Sequence, residues 1–123
     1  MKIKTSELVD EALDWAVAQC EGVKVHPGAG GGLWVCDPNA YGGSRCIEGD
    51  AGRRFCPSTD WSQGGPIIER VGINLKQDQP PGYPPYGWSA WCPARKSTYY
   101  GEGPTPLIAA MRCYVASKLS GWV

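Results

Sequence analysis

The residue types with the most potential for chemistry occur together between positions 55 and 70. Ser58 is suited to cap a short helical turn, because its hydroxyl can accept a hydrogen bond from a backbone N–H two or three residues further along. Gly64 and Gly65 then allow backbone conformations that other residues avoid, and Pro66 starts a second helical turn. The two isoleucines that follow would anchor this turn in the core and leave its polar side chains at the surface. We therefore predict a ligand-binding site here, formed by Ser58, Thr59, Asp60, Trp61, Gln63, Gly64, Gly65, Glu69 and Arg70.

Aromatic and arginine side chains indicate the class of ligand. Trp61 or Trp88 can stack on a base, while Arg70 and Arg112 can hold a phosphate through paired hydrogen bonds. The formal net charge is zero and the isoelectric point is near 6.5, which argues against binding of long nucleic acids. These features predict a small nucleotide-like ligand. The sequence leaves open the alternative that the rings form the core of a chain with a single Phe.

Residues for catalysis are scarce. His26 is the one histidine of the chain, and no recognisable nucleophile motif accompanies it. Asp60 and Glu69 could act as an acid–base pair if the tight turn between them brings their carboxylates together, and such a pair could degrade a nucleotide. The alternative is that Asp60 caps a helix and Glu69 forms a surface ion pair. We therefore predict a binding protein with no catalytic residues.

The cysteines do not have the spacing of a metal site. Cys36, Cys46 and Cys56 recur at ten-residue intervals, but no pair has the two to four intervening residues of a zinc knuckle. The glycine run at 28–32 lacks the lysine and hydroxyl residue of a phosphate-binding loop. The pattern thus predicts neither a metal nor another cofactor. It favours reduced thiols packed as small hydrophobic groups.

No basic and apolar leader opens the sequence, and its longest apolar run, residues 107–111, is too short to span a bilayer. A cytoplasmic protein that does not enter membranes is expected. The length of 123 residues suits one domain, residues 1–123. The 17 glycines and 11 prolines imply long irregular loops around a small core.

Two helices are predicted at the ends of the chain. Thr5 or Ser6 can cap a helix over residues 6–21, which Gly22 ends, and Thr105 with Pro106 begins another that stops at Gly121. Their apolar stripes have helical spacing; the first comprises Leu8, Ala12, Leu13, Ala16, Val17 and Cys20, and the second Ile108, Met111, Val115 and Leu119.

Short extended segments lie between these helices. They occupy residues 23–26, 33–36, 73–77 and 87–92, and the last two should pair across the proline-rich loop 78–86. The prediction is an α+β fold, a short antiparallel sheet flanked by an N-terminal and a C-terminal helix.

Three segments of the chain have a distinctive sequence: residues 1–8 (MKIKTSEL) with 12–18 (ALDWAVA), residues 57–70 (PSTDWSQGGPIIER) and residues 103–119 (GPTPLIAAMRCYVASKL). Together they resemble the NinX-like family of small tailed-phage proteins. The match covers about half the chain, in the order of the family. Residues 24–55 and 78–100 are richer in Gly, Pro and Cys than the family pattern. The resemblance implies a phage or prophage gene product made in the bacterial cytoplasm, and it does not imply an activity.

Two functions of different classes follow for a phage protein. In the first, a homo-oligomer binds a small nucleotide-like ligand and sequesters a nucleotide signal of host defence. In the second, an inhibitor or adaptor contacts a host protein through the Pro- and Tyr-rich residues 79–88, since aromatic anchors are favoured at interfaces.

Overall fold

The computed structural model describes residues 8, 10–27, 32–35, 53–78, 87–93 and 97–119. These residues form three helices, α1 (Asp10–Glu21), α2 (Trp61–Val71) and α3 (Pro106–Leu119). One antiparallel sheet contains β1 (Val25–Pro27), β2 (Leu33–Val35) and β3 (Arg53–Arg54) in that order, and another contains β4 (Asn74–Gln77), β5 (Trp88–Pro93) and β6 (Thr98–Gly103). The prediction of an α+β fold with helices toward both ends is confirmed. The structure differs from the prediction in having two sheets, and β3, β6 and a continuous α2 were not predicted.

Helix α1 packs one face into the core and ends where its sequence predicts. Leu13, Ala16 and Val17 are fully buried, whereas Ala12 is exposed and does not belong to the buried stripe. Gly22 follows the helix with a φ of 70°. The N–H groups of Gly22 and Val23 donate to carbonyls of the last turn, which satisfies groups that a helix end leaves unpaired. The helix begins at Asp10, later than the predicted start at residue 6, since Leu8 is not helical. The predicted capping residues Thr5 and Ser6 lie outside the described residues.

Helix α3 is the central element of the fold. Thr105 accepts a hydrogen bond from the N–H of Ile108 at 3.1 Å, so the predicted cap is present. Residues on every side of the helix are buried, because α1, α2 and the second sheet all pack against it. Those buried residues are Leu107, Ala109, Ala110, Met111, Cys113, Tyr114, Val115 and Ala116. The predicted stripe of Met111 and Val115 is thus one part of a helix that lies inside the core. Gly121 lies outside the described residues.

The second sheet presents one face to α3. Leu75 pairs with Ala90, and Ala90 pairs with Gly101, so these residues share that face. The predicted pairing of the segments on either side of the proline-rich loop is confirmed. A Cβ atom at Gly101 would overlap the backbone of Ala109 and Cys113, and therefore only glycine allows α3 to approach β6 this closely.

Helix α2 is continuous, which differs from the two short turns predicted for residues 58–70. Asp60 has an extended backbone (φ −117°, ψ 111°) and caps the helix, whereas Ser58 lies in the turn before it. Gly64, Gly65 and Pro66 are all helical. Pro66 lies one and a half turns into the helix, where its missing N–H leaves one helical hydrogen bond unmade. Burial of Ile67 in the core offsets this cost and holds the helix together. No helix among the described residues has the length and apolar character needed to cross a membrane.

Substitution of the adjacent glycines of α2 should change stability in opposite directions. A Cβ atom at Gly64 would overlap the carbonyl oxygen of Pro57 and the side chain of Leu107, whereas a Cβ atom at Gly65 has its nearest neighbour, Trp61, at 4.0 Å. We expect Gly64→Ala to lower the free energy of unfolding by about 1–3 kcal/mol through overpacking. Gly65→Ala should raise it by up to about 1 kcal/mol, because alanine favours a helix. Urea unfolding of both variants checks this, and equal effects would contradict the packing described for Gly64.

Candidate functional site

The site begins with a tight turn before α2. The N–H groups of Thr59 and Asp60 both donate to the carbonyl of Cys56, at 3.1 and 2.9 Å. The N–H of Ser58 donates to the carboxylate of Asp14 on α1 at 2.9 Å. The turn is therefore fixed to α1 as well as to α2. This anchoring keeps Ser58 out of the capping position that its sequence predicts.

Two of the predicted ligand-binding residues stabilise the turn itself. The carboxylate of Asp60 accepts hydrogen bonds from the backbone and hydroxyl of Ser62 and from the amide of Gln63. Those from Ser62 are the main reason that the pKa of Asp60 lies below its usual value. Gln63 also donates to the carbonyl of Arg54 at 2.8 Å and accepts from the N–H of Cys56 at 3.0 Å. Asp60 and Gln63 thus hold the segment that precedes the helix.

The first turns of α2 and α3 enclose a small cavity of about 200 Å³. We call it the Trp61 cavity, and its lining residues are Ser58, Thr59, Trp61, Thr105, Leu107 and Ile108. Trp61 is 53% exposed, although its side chain is large and hydrophobic. A solvent-accessible aromatic face next to apolar walls can stack on a flat ring. The cavity joins two of the three segments that carry the family resemblance, at 57–70 and 103–119.

Ser58 is the most unusual residue of the Trp61 cavity. The residue is only 2% exposed, and its hydroxyl has no hydrogen-bond partner among the described residues. A buried hydroxyl without a partner costs about 1–3 kcal/mol, so proteins keep few of them. Its backbone N–H is used by Asp14, which leaves the hydroxyl as the group that can act on a ligand. A hydroxyl can donate to or accept from such a ligand.

Arg70 takes part in a network that joins all three helices. Its guanidinium forms an ion pair with Glu21 at the end of α1, and Glu21 also accepts a hydrogen bond from the hydroxyl of Tyr114 on α3. Burial opposes ionisation of Glu21, but these hydrogen bonds and the charge of Arg70 outweigh it and lower its pKa. For Tyr114, burial and the same hydrogen bond raise the pKa.

Arg70 also lines a cavity of about 240 Å³ beside α2, which we call the Arg70 cavity. Its polar lining residues are Glu21, Arg54, Ser62, Gln63 and Arg70, and the others are Val23, Val35, Phe55, Pro66 and Ile67. Arg70 is therefore in part a structural residue.

Arg112 lies in a different place from Arg70. Its guanidinium donates to the backbone carbonyls of Leu8 and Glu102, at 2.9 and 2.7 Å, and burial lowers its pKa. It lines a cavity of about 520 Å³ at one end of the second sheet, together with the carboxylates of Asp78 and Glu102 and the ring of Tyr100. Because two of its donor groups are already bound to backbone carbonyls, Arg112 has fewer donors left for a phosphate. This cavity is larger, but its chemistry fits the predicted ligand less well than the Trp61 cavity does.

The remaining predicted residues are dispersed. Trp88 faces α3 and packs against the core, and Glu69 is exposed on α2. Because α2 is continuous, Asp60 and Glu69 are about 13 Å apart along its axis and do not form the acid–base pair considered above. His26 lies in β1 opposite Trp34, away from these cavities. The host-contact segment 79–88 lies outside the described residues except for its last two positions.

Cysteine chemistry and metal binding can be assessed for the described part of the chain. Cys20, Cys56, Cys92 and Cys113 are free thiols. The sulfur of Cys113 lies 3.4 Å from that of Cys92, and burial raises the pKa of Cys113. No group of His, Cys, Asp or Glu side chains among the described residues has a metal-binding arrangement. Cys36 and Cys46 lie outside these residues.

Several lining residues were not predicted to be part of a site. Thr105 was predicted only as a helix cap and Ile108 only as part of an apolar stripe, and Leu107 and Phe55 were not selected. The start of a second helix at Thr105 is visible in the sequence. Its position opposite Trp61 follows from tertiary packing and has no local signal.

The Glu21 network should make stability depend on pH. A carboxylate whose pKa is lowered by folding stabilises the fold above its unfolded pKa, and this contribution is lost as the pH falls through the folded pKa. Glu21→Gln should therefore lower the free energy of unfolding by about 1 kcal/mol near pH 7 and by less near pH 3. Urea unfolding at both pH values measures this, with the exposed Glu69→Gln as the matched control. An identical loss at both pH values would contradict the role of the ionised carboxylate.

Comparison with known proteins supports the resemblance seen in the three segments. A search of curated proteins gives no match. A family model described as "Bacteriophage P22, NinX" matches residues 4–118, which include the whole of α1 and α2, the turn before α2, and α3 except for its last residue. This chain therefore belongs to the NinX family of bacteriophage proteins.

Proposed function

We propose that this chain is a phage accessory protein that binds a small nucleotide-like ligand, with the base of the ligand in the Trp61 cavity. The observation that carries the proposal is that one cavity contains both the half-exposed side chain of Trp61 and the buried Ser58 hydroxyl, which has no partner among the residues that the structure describes. Stacking on an aromatic ring accepts any base, and a hydroxyl can then recognise a polar atom on the edge of that base.

The size of the Trp61 cavity limits what it can hold. Its volume of about 200 Å³ is below the roughly 300–1,000 Å³ of pockets that enclose a whole drug-sized ligand. It suits a single ring system and leaves the rest of the ligand outside. The apolar side chains of Leu107 and Ile108 contribute walls without charge. A neutral planar base matches this lining better than a phosphate does.

The proposal includes binding without turnover. Its support is that Asp60 is occupied as the cap of α2 and is separated from Glu69 by the length of the helix. In a bacterial cytoplasm, such a protein would act by keeping a nucleotide signal of host defence from its receptor. A homo-oligomer would supply several copies of the site. The phage origin of the family is the support for this role.

Direct titration tests the proposal. Isothermal titration calorimetry with adenosine and guanosine 5′-monophosphates, cyclic dinucleotides and ADP-ribose should give saturable binding, with the ligand recovered unchanged afterwards. Trp61→Ala should weaken that binding about 5-fold to 150-fold, the range for loss of one base–aromatic stack. Trp15→Ala is the matched control, because Trp15 is 48% exposed but lies on α1, away from the cavity. No binding across the panel, equal weakening by both variants, or conversion of a nucleotide would overturn the proposal.

Ser58→Ala should stabilise the protein but weaken its binding of the nucleotide. Removal of an unpaired buried hydroxyl should raise the free energy of unfolding by about 1 kcal/mol, since the backbone bond from Ser58 to Asp14 remains. The same variant should bind the nucleotide more weakly. Ser117→Ala is the control, because that hydroxyl already donates to the carbonyl of Tyr114 at 2.6 Å and its loss should bring no gain. Loss of stability in Ser58→Ala would show that the hydroxyl is a structural group.

A further inference from the structure

Three cavities follow one another around the turn before α2. Thr59 lines both the Trp61 cavity and a neighbouring cavity of about 230 Å³, which we call the Asp14 cavity. Arg54 and Phe55 line both the Asp14 cavity and the Arg70 cavity of about 240 Å³. The Asp14 cavity is completed by Glu11, Asp14, Gly32, Leu33 and Cys56. Adjacent cavities that share walls offer an extended ligand a path that no single cavity could provide.

The chemistry of the lining changes along this path. At the Trp61 cavity it is an aromatic ring with a hydroxyl, and at the Asp14 cavity it is a pair of carboxylates. At the Arg70 cavity two guanidinium groups are present, with Glu21 paired to one of them. A base, a ribose and a phosphate occur in the same order in a nucleotide. Carboxylates accept from ribose hydroxyls in dinucleotide-binding folds, and guanidinium groups bind phosphates.

Arg54 is better placed than Arg70 to receive a phosphate. Arg70 is bound to Glu21, whereas no carboxylate of the described residues lies within ion-pair distance of Arg54. The Arg54 side chain is exposed and packs beside Gly32, where a Cβ atom would come within 2.9 Å of its Nε. Gly32 is thus suited to leave room for the guanidinium. Its N–H donates to Glu11, and both residues line the Asp14 cavity together with Arg54.

Glu11 is the carboxylate with capacity for a ribose hydroxyl. One of its oxygens accepts the N–H of Gly32, and an ionised carboxylate can accept several further hydrogen bonds. The side chain is exposed, so a ligand can reach it. Asp14 is nearly buried and already accepts the N–H of Ser58, which gives it a positioning role in the turn.

We infer that a ribonucleotide lies along this path, with its base at Trp61, its ribose hydroxyls at Glu11 and its phosphate at Arg54. The inference rests on the proposed function and adds to it the orientation of the ligand and the groups that select it. It places the predicted phosphate contact on Arg54, a residue of the segment before the turn, and leaves Arg70 and Arg112 to hold the helices and the second sheet.

Each contact can be tested by measuring the affinity of ligands that lack either the phosphate or the ribose hydroxyls. Wild-type protein should bind adenosine or guanosine 10-fold to 100-fold more weakly than the 5′-monophosphate, as loss of a charge-assisted hydrogen-bonded contact implies. Arg54→Gln should reduce affinity for the monophosphate to near that for the nucleoside, and it should weaken nucleoside binding far less. Lys76→Gln is the control, because it removes one exposed positive charge from β4, away from the three cavities. Glu11→Gln should remove the preference for the ribonucleotide over its 2′,3′-dideoxy analogue.

The outcomes distinguish this inference from the function on which it rests. Equal wild-type affinity for nucleoside and monophosphate, or equal effects of Arg54→Gln and Lys76→Gln, would overturn the placement of the phosphate while binding itself stands. Failure of every nucleoside and nucleotide to bind wild-type protein would instead overturn the proposed function. Circular dichroism of each variant, compared with wild type, verifies that loss of binding is not loss of folding.

Discussion

The direct contact between the backbone of α3 and β6 is the constraint on which the rest of the structure depends. A Cβ atom at Gly101 would overlap the carbonyl oxygen of Ala109 and the N–H of Cys113, and one at Gly103 would meet Ile108. The small side chains on both surfaces let the helix lie closer to the sheet than larger residues would allow. Because only two residues separate the end of β6 from Pro106, this contact also fixes where α3 begins. The position of the Trp61 cavity follows from it.

Helix α2 is held against α3 and α1 by contacts at both of its ends. Gly64 lets its first turns approach Pro57 and Leu107, and the ion pair of Arg70 with Glu21 ties its last turn to α1. Both walls of the cavity therefore come from helices whose positions are determined by packing. Such a cavity is formed before a ligand arrives, and less conformational entropy is lost on binding.

The sequence was sufficient to predict those elements whose signals are local. Helical spacing and the capping residues Thr105 and Gly22 gave the terminal helices, and alternating short segments gave β4 and β5. Strand β6 was not predicted because its glycines weaken a strand pattern; they are explained only by the approach of α3. Helix α2 was predicted as broken turns because Gly64, Gly65 and Pro66 each disfavour a helix, and burial against α3 overrides that preference.

The candidate site, too, could be predicted only where its sequence signals are local. The segment 57–70 was selected for its residue types, yet the opposite wall of the cavity comes from residues 105–108, and no local pattern connects the two. Arg70 and Arg112 were both predicted to be phosphate contacts, but they line different cavities. Charge and residue type can be read from a sequence, whereas convergence of side chains depends on the packing of α3.

Most polar residues of the segment 57–70 have a structural explanation. Asp60 caps α2, Gln63 holds the preceding backbone, and Gly64 permits close packing. A family resemblance in this segment can thus reflect the requirements of folding as well as binding. Ser58 and Trp61 are different: one is a buried hydroxyl without a partner in the described part of the chain, and the other is a large ring left half exposed. The unpaired hydroxyl costs stability, the exposed ring is accessible to a ligand, and the two line the same cavity. A ligand that stacks on the ring and pairs with the hydroxyl would account for both, and for this reason the proposed function is centred on these two residues.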